Sequence, residues 1–366
     1  MKIAVVAGEA SGDLHASGVL RELKAIDPAV RFFGIGGDQM RKEGMELLYH
    51  ARDLGFVGLF NVLMHLGMFR RVFRDFMARV AAERPDAVLL VDYPGFNLRV
   101  ARRAKELGLT VIYFISPQVW AWHRRRLKDI ERWVDHMIVI LPFEEQFYRD
   151  HHVRVTYVGH PLIDQVIGVG RPQRRDGIVR IALMPGSRKR EVDDVLPAML
   201  EAVRILRAER SIEPFIVQAP TIEHDHIEGL VRSSGENVPI LPRDRGEGLA
   251  AADIAISSSG TATLESAVLG TPVVVMYRLG RLTYRIAQRL VKLPYFSLVN
   301  IVAGRKVVPE LMQDEVTGPN IAAAVRELLE PERYARAKAD MDEVRGKLGE
   351  RGASRRAAEA IMATLR

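Results

Sequence analysis

The residues best suited to chemistry in this sequence fall into short clusters. The first is Gly8-Glu9-Ala10-Ser11-Gly12-Asp13, set between an apolar run and an amphipathic segment. Glycines there let the backbone turn tightly, and a helix start offers free N–H groups to an anion or a hydroxyl. The spacing is not that of the G-x-G-x-x-G dinucleotide fingerprint, and Glu9 and Asp13 would repel a pyrophosphate at close range. A sugar or acceptor hydroxyl is the better guest; the alternative is a capped turn with Asp13 near the helix start. The second cluster is Val91-Asp92-Tyr93-Pro94-Gly95-Phe96-Asn97, at the end of another apolar run. A carboxylate at such a strand end can take a proton from an attacking hydroxyl, which makes Asp92 the preferred general base; capping the following helix is its other use.

Two clusters in the second half of the chain suit a nucleoside diphosphate. In Met184-Pro185-Gly186-Ser187-Arg188-Lys189-Arg190-Glu191, Gly186 allows close backbone approach and Arg188 offers a bidentate cation to phosphate oxygens. In Ser257-Ser258-Ser259-Gly260-Thr261-Ala262-Thr263-Leu264-Glu265, small hydroxyl residues lead into a helix whose first amides could cradle phosphates. Glu265, about one turn inside, could accept from two ribose hydroxyls. A solvated basic loop and a plain N-cap are the competing readings, and their recurrence at corresponding strand ends argues against both together.

Ser116-Pro117-Gln118-Val119-Trp120-Ala121-Trp122-His123-Arg124-Arg125-Arg126 places tryptophans beside arginines. That mixture suits a ligand greasy at one end and anionic at the other, a nucleic-acid groove, or simple packing under a basic face. The segment 56–69 leaves little polar surface through Leu59, Phe60, Leu63, Leu66 and Phe69, and Arg70, Arg71 and Arg74 follow. It reads as a membrane-contacting helix facing anionic headgroups or as a buried core helix. His151-His152 and His224-Asp225-His226 lack the i, i+4 spacing of a metal pair and read as loop positions, whereas His160 in Gly159-His160-Pro161 ends a strand.

Alternating strands and helices must position these clusters. Val- and Ile-rich runs at Ile3–Ala7, Ala87–Val91, Thr110–Ile115, His136–Ile140 and Val155–Val158 are separated by amphipathic segments such as Leu14–Ile26 and Leu98–Leu107. A second series follows at Arg180–Met184, Pro214–Gln218, Asp253–Ser257 and Pro272–Met276. This pattern predicts an α/β chain with two doubly wound, Rossmann-like domains whose strand ends face a shared cleft. The expected boundaries are 1–167, a Gly/Pro/Arg/Gln linker at 168–177, 178–335, and C-terminal helices at 336–366 that could pack back on the first domain.

The length of 366 residues suits two cores, and 48% hydrophobic with 27% charged residues leaves no disordered tract. With no cysteine, disulfides, thiolate nucleophiles and cysteine-bound zinc are excluded. The N-terminus does not read as a signal peptide and no run reaches the roughly 20 apolar residues of a spanning helix, so any membrane contact is expected to be peripheral. The net charge of +7 suits an anionic partner.

Taken together, the motifs resemble the lipid-A-disaccharide synthase family along essentially the whole chain. The resemblance is carried by Gly8 to Asp13, Asp92 to Asn97, Ser116 to Trp122, Gly159-His160-Pro161, Pro185 to Arg188, Ser259 to Glu265, and Leu298-Val299-Asn300-Ile301-Val302-Ala303-Gly304. It implies a GT-B fold, with acceptor binding mainly in the first domain and a UDP-sugar mainly in the second. The implied substrates are UDP-2,3-diacylglucosamine and 2,3-diacylglucosamine 1-phosphate, joined β(1→6) with release of UDP. It further implies no metal or other cofactor, no nucleic acid, a phospholipid surface at the cytoplasmic face of a Gram-negative inner membrane, and pairing as a homodimer in some members. Carried onto this chain, Asp92 is the expected base, with His15 second. Gly186, Ser187, Arg188, Ser259, Gly260, Thr261, Glu265 and Asn300 are expected at the donor nucleotide. Glu9, Ser11, Asp13, Asn97, Gln118, Trp120, Arg124 and Arg125 are expected at the acceptor. Leu59, Phe60, Leu63, Leu66, Phe69, Arg70 and Arg71 are expected at the membrane. A UDP-N-acetylglucosamine epimerase and a non-catalytic nucleic-acid or membrane-binding protein are the rival classes.

Overall fold

The computed structural model describes residues 1–54, 66–121, 125–166, 177–242, 246–280, 284 and 294–366, with residues 53, 54, 66 and 125 described by backbone alone. The chain divides into two compact units, Met1–Pro161 with Glu350–Arg366, and Leu162–Gly349.

The first unit is built on β1 (Lys2–Ala7), β2 (Arg31–Gly36), β3 (Glu46–His50), β4 (Ala87–Val91), β5 (Thr110–Phe114), β6 (His136–Val139) and β7 (Val155–Tyr157). They form one seven-stranded parallel sheet in the order β3-β2-β1-β4-β5-β6-β7. The central strands are apolar on both faces because helices cover both: β4, AVLLV, is buried at every position. Each such Val or Leu contributes on the order of 1.5–3 kcal/mol by leaving water. β2 was not legible as a strand because Gly34 and Gly36 interrupt its apolar run. Gly34 sits at φ +146, where the register with β3 shifts, and a Cβ there would stand 2.0 Å from the Val5 carbonyl oxygen. Only glycine fits that close approach of neighbouring strands.

Helix Ala10–Ile26 buries Ala16, Val19, Leu20 and Leu23. The C-terminal helix Ala353–Leu365 packs against it through Ala353, Ala357, Ala358 and Ile361. Its alanines permit the close approach also seen at Gly18, where a Cβ would meet Ser354 Oγ at 2.7 Å. Arg356 anchors the same segment, donating to the carbonyls of Val158, Arg351 and Glu350 at 2.9, 2.6 and 2.7 Å. Of the expected 336–366 tail, therefore, Ala353–Leu365 lies in the first unit, whereas helix Pro331–Lys347 lies in the second.

The second unit repeats the scheme with β8 (Val179–Met184), β9 (Ile212–Gln218), β10 (Ile240–Pro242), β11 (Ile254–Ser258), β12 (Val273–Tyr277) and β13 (Glu310–Met312), parallel in the order β10-β9-β8-β11-β12-β13. Its core joins Leu183, Leu196, Met199, Ile216, Ile256 and Val325, among others, around helices Lys189–Glu209 and Gly318–Leu328. The expected linker at 168–177 lies, Gly177 apart, outside the described residues. Among the described residues no helix is long and apolar enough to cross a membrane.

Candidate active site

In each sheet the strand order reverses once near the middle, between β1 and β4 and between β8 and β11. At such a switch point successive crossovers leave to opposite faces and the loops part, opening a crevice at the carboxyl ends of the strands. The clusters at Gly8–Asp13 and Asp92–Asn97 sit at the first, and those at Met184–Glu191 and Ser257–Glu265 at the second, whereas the cluster that begins at Ser116 follows β5.

In the first unit β1 ends at Gly8-Glu9 and β4 ends at Asp92. Asp92 and Tyr93 adopt φ 45° and 50°, a left-handed conformation that costs side-chain-bearing residues on the order of 1 kcal/mol each. Surrounding groups enforce it. The Asp92 N–H donates to the Phe114 carbonyl at 3.1 Å, and the Asp92 carbonyl accepts from Asn97 Nδ2 at 2.6 Å and from the Tyr113 hydroxyl at 2.5 Å. Gly8 makes room for the result: a Cβ there would stand 2.5 Å from the Tyr93 ring. The turn withdraws the Asp92 carboxyl from water, and that desolvation raises its pKa from 3.8 to about 6. The charge of Glu9 adds to the rise, and a hydrogen bond from the Tyr93 backbone opposes it. A carboxylate poised near neutrality and held rigidly is what general-base work requires.

Other expected residues of this unit prove structural. Asp13 is 6% exposed and accepts from the Gly37, Gln39 and Met40 amides at 2.8, 3.0 and 3.0 Å, capping helix Asp38–Lys42. Its carboxylate therefore serves a second helix, neither its own nor an acceptor. Asn97, fully buried, uses its amide to hold the Val91 and Asp92 carbonyls, so it positions the base. Trp120 packs edge-on against Phe143 and donates to Glu144 Oε1 at 3.1 Å. Sequence reasoning passed over Glu144, which looks like an ordinary helix-start residue. It is 2% exposed, binds the Leu141 amide at 3.1 Å, and burial raises its carboxyl from 4.5 to about 8. His15 stands edge-on to buried His160 with ring centroids 6.3 Å apart. Burial lowers them to about 4 and about 3, so both are neutral at pH 7, and His15 is a weaker base than Asp92. Glu9 is half-buried and Ser11 exposed after β1, and Gln118 is exposed after β5.

In the second unit a pocket at the ends of β8, β11 and β12 is lined by Glu191, Val195, Ser258, Ser259, Met276, Tyr277 and Arg278. Gly186, at φ +119, turns the chain beside it; a Cβ would meet Glu191 Oε2 at 2.7 Å and Ser258 Oγ at 3.0 Å. Ser187 and Arg188 are exposed, as is Thr261 at the first turn of helix Thr261–Val268, and Gly260 precedes that helix. Arg278, which follows β12 in no recognisable motif, donates to the carbonyls of Asp194, Gln313 and Val316 and so braces the pocket wall. Glu265 is 5% exposed and turned toward Gly246, its Oε1 3.6 Å from where a Cβ there would stand.

The expected nucleotide contact of Asn300 requires correction. Its side chain is fully buried, its Oδ1 accepts from the Val307 and Val308 amides at 2.7 and 2.9 Å, and its Nδ2 donates to the Val308 carbonyl and Glu310 Oε1 at 3.1 and 2.8 Å. Both amide hydrogens and both acceptor positions are engaged, leaving nothing for a ligand.

Of the membrane set, Leu59, Phe60 and Leu63 lie outside the described residues, as does the Leu66 side chain; so do Trp122, Arg124 and the Arg125 side chain. Phe69 packs on the first core, while Arg70 and Arg71 are exposed. His224 and His226 open helix His224–Ser234 instead of lying in a loop, and His226 bonds Asp193 at 2.7 Å.

Comparison with known proteins gives this geometry a family. The model of a family described as Lipid-A-disaccharide synthetase matches residues 3–364. The lipid-A-disaccharide synthase of Myxococcus xanthus (strain DK1622) is 41% identical over 377 residues, covering 100% of this chain and 97% of that one. That of Geobacter sulfurreducens (strain ATCC 51573 / DSM 12127 / PCA) is 39% identical over 373 residues, with the same coverage. Among solved structures, the glycotransferase of kitacinnamycin superposes with a TM-score of 0.65 at 17% identity, covering 100% of this chain and 99% of that one. Acinetobacter baumannii MurG gives 0.59 at 13%, covering 99% of each. A Neisseria meningitidis UDP-GlcNAc 2-epimerase gives 0.62 at 14%, covering 100% and 99%. At such identities transferases and an epimerase share only the fold, and the full-length sequence matches are what separate them. The chain therefore belongs to the lipid-A-disaccharide synthetase family, glycosyltransferases of lipid A biosynthesis with the GT-B fold.

Proposed function

We propose that this chain is an inverting glycosyltransferase that joins UDP-2,3-diacylglucosamine to 2,3-diacylglucosamine 1-phosphate. The products are UDP and the β(1→6)-linked disaccharide 1-phosphate. The observation that carries the reading is Asp92, clamped at the β1/β4 switch point with its carboxyl raised to about 6. In this reading the acceptor's 6-hydroxyl oxygen bonds to the anomeric carbon while the bond from that carbon to the UDP oxygen breaks on the opposite face. Asp92 accepts the hydroxyl proton as the oxygen loses it. Negative charge grows on the departing diphosphate, and Arg188, the Ser187 amide and the first amides of helix Thr261–Val268 are the groups suited to stabilise it. Glu265 and the small residues Ser259 and Gly260 complete the donor side, and Arg124 to Arg126 are assigned to the acceptor's 1-phosphate.

The proposal extends to location: the enzyme works peripherally at the cytoplasmic face of the inner membrane, where its acylated substrates reside. The apolar stretch 56–69 followed by exposed Arg70 and Arg71 supports this. The test mixes purified protein with both acylated substrates in detergent and measures UDP and disaccharide. Equal amounts of the two are expected, with no product from unacylated UDP-N-acetylglucosamine. Sugar epimerisation, or UDP release without disaccharide, would refute the proposal.

A further inference from the structure

The pocket at the ends of β8, β11 and β12 already contains an anion of the protein's own. Glu191, in the first turn of helix Lys189–Glu209, accepts from the Ser187 amide at 3.3 Å through Oε2 and from Arg188 at 2.8 Å through Oε1. Oε2 and Ser258 Oγ press on the same face of Gly186. Tyr277 senses the same charge: after burial, Glu191 is the cause that raises its phenol, and Arg188 works against it. A backbone amide and a guanidinium are the donors a phosphate oxygen requires. Two anions cannot both take them fully, so a diphosphate entering this loop must displace the carboxylate or share its donors against like-charge repulsion.

We infer that Glu191 is an internal competitor of the diphosphate, a positioning residue that acts through Ser187 and Arg188 to weaken retention of UDP and so favour product release. The role explains why an acidic side chain occupies two donors suited to a phosphate oxygen. A glutamine at this position keeps the shape that supports the Gly186 turn but gives up the charge. The inference rests on the nucleotide site proposed above.

The test titrates UDP and uridine into wild-type protein, Glu191→Gln, Glu191→Asp and Arg188→Ala by calorimetry. The expected result is UDP binding about tenfold tighter in Glu191→Gln, equivalent to about 1.4 kcal/mol. No tightening is expected in Glu191→Asp, which keeps the charge, and uridine affinity should stay constant because uridine carries no phosphate. Arg188→Ala should bind UDP more weakly. UDP binding in Glu191→Gln that equals or falls below wild type, with Arg188→Ala weakened, would overturn competition and leave Glu191 as a brace for Arg188. An equal change for UDP and uridine would also overturn it, as the signature of a rearranged pocket. If Arg188→Ala leaves UDP affinity unchanged, the nucleotide site itself is wrong and the inference falls with it.

Discussion

Replacing Asp92 with asparagine should make the first unit more stable while removing turnover. An acid whose pKa rises on folding opposes folding wherever it is ionised in the native state. Moving Asp92 from 3.8 to about 6 corresponds to about 3 kcal/mol of destabilisation above pH 7. The sign follows from proton binding: between pH 6 and 4 the native state holds the proton more tightly than the unfolded chain, so wild-type stability recovers as pH falls. The same two pKa values leave roughly half of that at pH 5. Asparagine does not titrate, keeps the shape, and tolerates the left-handed backbone at φ 45° better than most residues. The stability advantage of Asp92→Asn over wild type should therefore shrink by roughly half between pH 8 and pH 5. The assay is built into the chain: its three tryptophans, Trp120, Trp122 and Trp133, all belong to the first unit, so urea unfolding followed by tryptophan fluorescence reads the unit that carries Asp92. Turnover should fall about 10²–10⁴-fold with donor binding unchanged, and the wild-type acid limb should lie near pH 6. A stability difference that stays constant from pH 8 to 5, or near-normal turnover in the variant, would refute the reasoning.

Glu144 works in the same direction as Asp92 over a window that reaches higher in pH. With its carboxyl raised from 4.5 to about 8, it is largely protonated in the native state at neutral pH while the unfolded chain is ionised, so the first unit loses stability as pH climbs from about 4.5 to about 8, and the loss levels off above 8. Glu144→Gln should flatten the loss between about pH 4.5 and 8 in the same tryptophan assay. Asn300→Ala should strand the buried Val307 and Val308 amides and lower the stability of the second unit by about 2–4 kcal/mol. Amide exchange in β12 and β13 would register that loss, and a variant as protected as wild type would show that the clamp is dispensable.

Sequence pattern revealed the parts of the fold that are buried along most or all of their length. β1, β4, β8 and β11 are short apolar runs flanked by turn residues, and a parallel sheet covered on both faces demands that pattern. β3, β10 and β13 escaped notice because they lie at or beside sheet edges, are short and partly exposed, and carry Glu46, Pro242 and Glu310 where a central strand would be apolar. The clusters at the two switch points were legible because glycine, carboxylate and hydroxyl residues follow strands directly. What residue type does not disclose is whether a side chain's hydrogen-bonding capacity is already used within the fold. Asp13, Asn97 and Asn300 have the polarity of ligand contacts, yet each is committed to backbone groups from elsewhere in its unit. Glu144 and Arg278 were invisible for the complementary reason, since only tertiary packing shows one desolvated and the other bound to three carbonyls.

The central claim is that the second unit holds the leaving diphosphate at the ends of β8, β11 and β12. A crystal structure with UDP tests it directly. The account predicts phosphate oxygens within hydrogen-bonding distance of the Ser187 amide, the Arg188 guanidinium and the backbone around Ser259 to Thr261. A nucleotide seated elsewhere, with those groups untouched, would contradict it.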